Sequence, residues 1–116
     1  MTQFKFIHAA DLHIESPYKG VSHMNEALGG ALVEHGIRAY EKLIQTAIDE
    51  NLDFLPIAGD SFDSESGSLS AQYRFVRGLE RLNVEKIPVY IICGNHDPLS
   101  SWSAHLQLPV HVTLFE

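Results

Sequence analysis

The chain has 116 residues, 45% of them hydrophobic, with 15 acidic against 8 basic side chains and a formal net charge of −7. That profile suits one compact globular unit, and no apolar run approaches the ~18 residues that a membrane span needs. An acidic surplus lacks the basic footprint usual for nucleic-acid binders. It fits either a solubilising surface or carboxylates gathered around cations, whose own charge would reverse the local field for a phosphate substrate.

The opening stretch, MTQFKFIHAADLH, has neither the basic region nor the longer apolar region of a secretory signal. One cysteine, Cys93, cannot build an internal disulfide framework and suits a reducing compartment. A cytoplasmic location with no membrane partner is therefore expected.

In chain order, short apolar runs alternate with longer amphipathic ones, the pattern of βαβ units and an α/β fold. Residues 4–10, rich in aromatic and branched side chains, read as a strand ending at Asp11-Leu12-His13. Pro17, Gly20 and the Gly29-Gly30 pair break the pattern over the next stretch. The spacing predicts a helix over 32–51, with Ala39, Leu43, Ala47 and Ile48 on one face. Residues 54–58 read as a second strand ending at Gly59-Asp60, although Pro56 cannot donate to a ladder and prefers edges or strand starts. Residues 61–70 form a polar stretch. A second helix is predicted over 69–82, burying Phe75, Leu79 and Leu82. Residues 88–93 give the clearest strand, a near-continuous apolar run expected of a strand covered on both faces. A short helix over 100–106 and a last strand over 111–115 are expected after it.

Each of the three apolar strands ends in side chains able to bind metal or hydrogen bond, and in open α/β sheets ligands bind beyond the carboxyl ends of the strands. In Asp11-Leu12-His13, residues two apart in an extended segment point to the same side, so a carboxylate and an imidazole could reach one cation. The ordinary alternative is a turn cap beside a surface histidine. In Gly59-Asp60-Ser61-Phe62-Asp63, glycine permits a sharp exit from the strand and would aim Asp60 at the rim. The two oxygens of Asp60 can bridge two ions, and Asp63 can support a ligand by hydrogen bonding or by its field. An Asx-turn followed by a helix cap is the alternative there. In Gly94-Asn95-His96-Asp97, Asn95 offers a neutral carbonyl ligand and His96 a proton or hydrogen bond for a phosphoryl oxygen or leaving group. Asp97 could orient that imidazole. A plain turn is the alternative, since Gly-Asn and Asp-Pro both favour turns.

Asp-x-His, Gly-Asp-x-x-Asp and Gly-Asn-His-Asp, in that order after three successive strands, resemble the calcineurin-like metallophosphoesterase superfamily across essentially the whole chain. The resemblance implies a four-layer αββα sandwich, of which this length would supply a truncated βαβαβ half, residues 1–116 forming the amino-terminal part of a nuclease-type domain. It also implies two divalent ions and a bridging hydroxide that attacks phosphorus in line. Asp11 and His13 would bind the first ion, Asp60 would bridge, Asn95 would bind the second, and His96 would stabilise the transition state. Ions about 3.5–4 Å apart can clamp both attacking and leaving oxygens. Oxygen and nitrogen ligands without thiolate suit manganese, iron or zinc, manganese being favoured for a nuclease.

The flanking words, Phe6-Ile7-His8-Ala9-Ala10 before the first motif, Ile57-Ala58 before the second and Pro98-Leu99 after the third, resemble the bacterial YhaO/SbcD-type DNA-repair exonucleases. Ser16-Pro17 looks particularly like the YhaO branch. DNA would then be the substrate and a large coiled-coil ATPase the partner. A phosphomonoesterase or small-molecule phosphodiesterase of the same superfamily is the alternative, and a non-catalytic fragment is a third reading.

The family pattern also calls for later Gly-His and Gly-His-x-His elements, which this sequence lacks. His105 and His111 read as ordinary loop and strand-start residues, and His8 as a core or supporting residue. Weak metal affinity, little turnover by this chain alone, and an apolar sheet face exposed or paired between copies are expected. Arg74, Arg77 and Arg81 form a basic stripe that reads first as a solvated helix face and second as a phosphate contact. Trp102 and Tyr18 read as packing residues before stacking ones.

Overall fold

The computed structural model describes residues 3–12, 14, 25–59, 69–93 and 108–115. Their elements, in order, are β1 (Ala9–Ala10), α1 (Glu26–Asp49), β2 (Leu55–Gly59), α2 (Leu69–Val84), β3 (Val89–Cys93) and β4 (Val112–Phe115). All four strands are parallel and lie in the order β1-β2-β3-β4. The architecture is thus α/β, as the alternation of apolar runs predicts. The short helix expected over 100–106 lies outside the described residues.

Helix α1 begins six residues before the predicted start. Asn25 is the reason: its Oδ1 accepts from the Leu28 N–H at 3.1 Å, capping a first turn that also carries Glu26. A side-chain acceptor and a negative charge both satisfy the exposed amides there, which lets the helix run through Gly29 and Gly30 despite their low propensity. Its buried stripe is Ile37, Tyr40, Ile44 and Ala47, so the predicted stripe was rotated. Ala39 is exposed, and Leu43 and Ile48 are only half-buried.

Helix α2 buries Phe75, Leu79 and Leu82 as its spacing predicts, and Ala71 with them. The two helices meet at Gly78, where an added Cβ would lie 2.7 Å from the Tyr40 hydroxyl. The Tyr40 and Phe75 rings stack with centroids 4.8 Å apart. Arg74 crosses the same seam, its Nε 3.1 Å from Glu41 and its Nη1 2.9 Å from Glu34.

Both helices pack on one face of the sheet, against Ala9, Leu55, Ile57, Val89 and Ile91 in a single core. A strand order that follows chain order has this effect. Right-handed crossovers that always step in one direction stack their helices on one side. The alternate residues of the strands face away, and among the described residues no helix covers them. This corrects the expectation for β3: Val89 and Ile91 are buried, while Tyr90 and Ile92 are exposed. Aromatic side chains line that open face from edge to edge. Phe6 stacks on Phe54 at 4.9 Å, Phe54 meets Tyr90 edge-on at 6.5 Å, and Tyr90 lies 6.4 Å from Phe115.

Strand β1 is much shorter than the predicted 4–10, and Pro56 accounts for it. Leu55 donates to the Pro88 carbonyl at 2.9 Å, so odd residues of β2 direct their amides to β3 and even ones face β1. Pro56 has no N–H to offer. Pairing between the two segments accordingly occurs as an isolated Phe6–Phe54 bridge and resumes only at Ala9–Ile57.

Candidate metal centre at the carboxyl edge of the sheet

Parallel pairing fixes where the three motif-bearing segments leave the sheet. Ala10 pairs with Ala58, and Gly59 pairs with Cys93. Neighbouring strands are ~4.8 Å apart, so the ends of β1, β2 and β3 stand side by side on one edge. The sequence continues from them into the three motifs.

Asp11 is the predicted ligand whose side chain the structure describes. It follows β1 with φ 50°, a left-handed conformation that aspartate tolerates better than most residues. Its amide donates to the Ala58 carbonyl at 2.9 Å, extending the β1–β2 ladder by one bond past the strand. On its far side Leu12 is half-buried and Ile14 fully buried in the core. The backbone is therefore pinned on both sides while the carboxylate stays exposed.

That carboxylate lies over the Cα of Gly59. A Cβ placed there would overlap Asp11 Oδ1 and would lie 3.1 Å from its Cγ. Gly59 itself has φ 82°, a left-handed conformation that glycine adopts freely, and the residues that follow lie outside the described ones. Sequence reading assigned this glycine to the turn. Its second task, leaving room for Asp11, had no signal in the sequence because it depends on the β1–β2 register.

His13, Asp60, Asp63, Asn95, His96 and Asp97 lie outside the described residues. Among the described residues no three His, Cys, Asp or Glu side chains converge to hold a metal, and Asp11 has no cationic partner. An exposed carboxylate on a pinned backbone, without a cationic partner among the described residues and with Asp60 next in sequence to the glycine it overlies, is a donor suited to a hard divalent cation.

The other sequence candidates are placed as follows. Arg74 is held by Glu34 and Glu41, Arg77 lies 3.4 Å from Glu80, and Arg81 hydrogen bonds to Gln45. The stripe is thus engaged with its own helices, and Arg74 in particular is half-buried rather than solvated. Glu34 is held below its ordinary carboxylate range, chiefly by the hydrogen bond from Arg74. His8 is exposed on the open sheet face, not in the core. His111 immediately precedes β4 and has a buried Nδ1 with no partner among the described residues. Tyr18, Trp102 and His105 lie outside the described residues. A depression of about 530 Å³ lies at the opposite end of the strands, lined by Phe4, Lys5, Glu50 and Asp53 among others. No described helix is long and apolar enough to cross a membrane.

A parallel sheet with helices on one face, presenting a carboxylate beyond its strand ends, defines an α/β protein with a candidate cation site on its carboxyl edge. Residues 4–114 match the calcineurin-like phosphoesterase family, and the chain belongs to that family. It is 39% identical over 115 residues to the uncharacterized metallophosphoesterase YhaO of Bacillus subtilis, an alignment covering 99% of this chain and 28% of that protein. It is also 32% identical over 96 residues to the DNA double-strand break repair protein Mre11 of Archaeoglobus fulgidus, covering 83% of this chain and 20% of the relative. The same-named protein of Methanosarcina mazei is 38% identical over 64 residues, covering 55% of this chain and 10% of the relative. The chain thus spans little more than a quarter of the first of these relatives and less of the others.

Proposed function

We propose that residues 1–116 form the amino-terminal part of a metallophosphoesterase domain that hydrolyses DNA phosphodiesters in repair. The observation that carries this reading is the Asp11 carboxylate, pinned beyond β1 and seated over Gly59 at the end of β2. Two motif-bearing segments meet at that point, and the third leaves from Cys93, the register partner of Gly59. The naming of two relatives as double-strand break repair proteins supports DNA over other phosphoesters.

In this reading Asp11, His13, Asp60 and Asn95 would hold the two divalent ions, Asp60 as a ligand to both and Asn95 through its neutral carbonyl. His96 donates a hydrogen bond or proton to a phosphoryl or leaving oxygen, with Asp97 orienting its ring. Asp63 supports the ligands from behind by hydrogen bonding. The metals, manganese by preference, would supply an activated nucleophile and a clamp on the phosphoryl oxygens. The chain's acidic surplus fits a site that gathers cations first and phosphates through them. A DNA path along α2 is not part of the reading, because Arg74, Arg77 and Arg81 are already engaged. A coiled-coil ATPase partner and a cytoplasmic location go with the nuclease assignment.

The test has two arms. Manganese binding by this chain, followed by the paramagnetic resonance of the free ion, should weaken at least tenfold in Asp11→Asn and in Asp60→Asn. Extended with a segment supplying Gly-His and Gly-His-x-His elements, the protein should cleave linear duplex DNA in a manganese-dependent way. Cleavage of aryl phosphates but never of DNA would place it among the phosphomonoesterases. Binding that ignores both substitutions would leave a non-catalytic interaction module.

A further inference from the structure

We infer that Gly59 is a positioning residue for Asp11: its missing side chain sets where the Asp11 carboxylate sits, beyond the turn it makes for its own strand. The inference rests on Asp11 being a metal ligand and deepens that reading.

The argument is steric. A Cβ at residue 59 would overlap Asp11 Oδ1 and approach the Asp11 Cγ to 3.1 Å and its backbone nitrogen to 3.4 Å. Something must move, and the choices are few. The Asp11 backbone is tied to the Ala58 carbonyl at 2.9 Å. Leu12 and Ile14 hold the following residues against the core, and β2 is paired on both sides. The free coordinate is the Asp11 side chain, whose staggered rotamers are discrete. Relief therefore carries the carboxylate to another rotamer, away from the end of β2. A cation that needs oxygens from both strand ends loses one of them.

Glycine at 59 also has φ 82°, so any side chain there strains the turn itself. That strain would misplace Asp60 whatever Asp11 does, and the experiment has to separate the two. Gly30 provides the control, because a Cβ there meets nothing within 4 Å.

Manganese affinity is measured for the whole chain as wild type, Gly59→Ala, Asp11→Asn and the double variant. Each single substitution should weaken binding about tenfold or more, and the double variant should be no weaker than Asp11→Asn alone. Losses that multiply in the double variant overturn the inference, since they mean that residue 59 acts through Asp60. In parallel, the side-chain carboxyl ¹³C resonance of Asp11 is followed without metal. It should shift in Gly59→Ala and stay in place in Gly30→Ala. A resonance unmoved by Gly59→Ala overturns the inference whatever the binding data show. Wild-type chain that takes up no manganese overturns the metal reading instead, and the resonance then decides the steric relationship by itself.

Discussion

The Tyr40 hydroxyl donates to the main-chain carbonyl of Phe75 at 2.7 Å, so that one helix hydrogen bonds to the backbone of the other from inside the core. Both residues are almost fully buried. Burial also pushes the Tyr40 phenol well above its ordinary value, which keeps it a neutral donor. Removing the hydroxyl in Tyr40→Phe should lower stability by about 1 kcal/mol, the usual net worth of such a bond. The neighbouring substitution Gly78→Ala forces a methyl against that hydroxyl and should cost about 1–3 kcal/mol by overpacking. Urea denaturation of both variants checks the pair, and a Gly78→Ala chain as stable as wild type would refute the packing described.

Neighbouring isoleucines on β3 should behave in opposite ways. Ile91 is fully buried, whereas Ile92 is 54% exposed on the open face. Ile91→Ala should destabilise by about 2–5 kcal/mol, and Ile92→Ala should change stability by less than about 1 kcal/mol, as surface substitutions usually do. Equal effects on the denaturation midpoint would mean that the face carrying Tyr90 and Ile92 is covered.

The same open face should bind apolar dyes. Phe4, Phe6, Tyr90, Ile92 and Phe115 are all exposed on or beside it, and contiguous exposed apolar side chains are what such dyes bind. Tyr90→Lys with Ile92→Lys should reduce anilinonaphthalene sulfonate fluorescence and raise the solubility limit, with no loss of helix by circular dichroism. Undiminished dye binding in the double variant would locate the apolar surface elsewhere.

Acid should loosen the seam between the helices. Glu34 titrates below its ordinary value of 4.5 in the folded chain because Arg74 hydrogen bonds to its ionised form. The unfolded chain therefore binds more protons in that window, and stability rises with pH through it. The contribution is complete above pH 4.5 and is lost as pH falls through the lowered value. Arg74→Met should flatten this part of the stability–pH curve, and salt should reduce the wild-type effect because Glu34 is partly exposed. A wild-type slope that survives the substitution would assign the titration to other carboxylates.

The sequence disclosed the order of elements well and their edges less well. Residues 54–58 and 88–93 announced strands because branched and aromatic runs suit a pleat, and both are there within a residue. The α1 start was misplaced because Gly29 and Gly30 were given more weight than the Asn25 cap that overrides them. The length of β1 was hidden, since the effect of Pro56 on it depends on which way the β2 amides face. Cover on one face of β3 was equally hidden: Val-Tyr-Ile-Ile-Cys is apolar throughout, and the crossover direction, not composition, decides which side the helices take. For the candidate site, the motif spacing after each strand pointed to one edge, and the register confirms that the strand ends stand together. The contact between Asp11 and Gly59 joins residues 48 positions apart, which periodicity within a single element cannot reveal.

A sheet whose spatial order repeats its chain order also has a history written into it. Each strand from β2 onward lies beside the strand that precedes it in sequence. For the described strands, a chain emerging from the ribosome amino terminus first therefore leaves no gap to be filled by a later one. Among the described strands, each new one joins at the edge the previous one leaves open. The connections from β1 to β2 and from β2 to β3 each carry one helix, so the entropy of bringing these strands together is met in short instalments rather than across the full length. The order that puts both described helices on one face of the sheet is thus the one that allows that face to be assembled piece by piece.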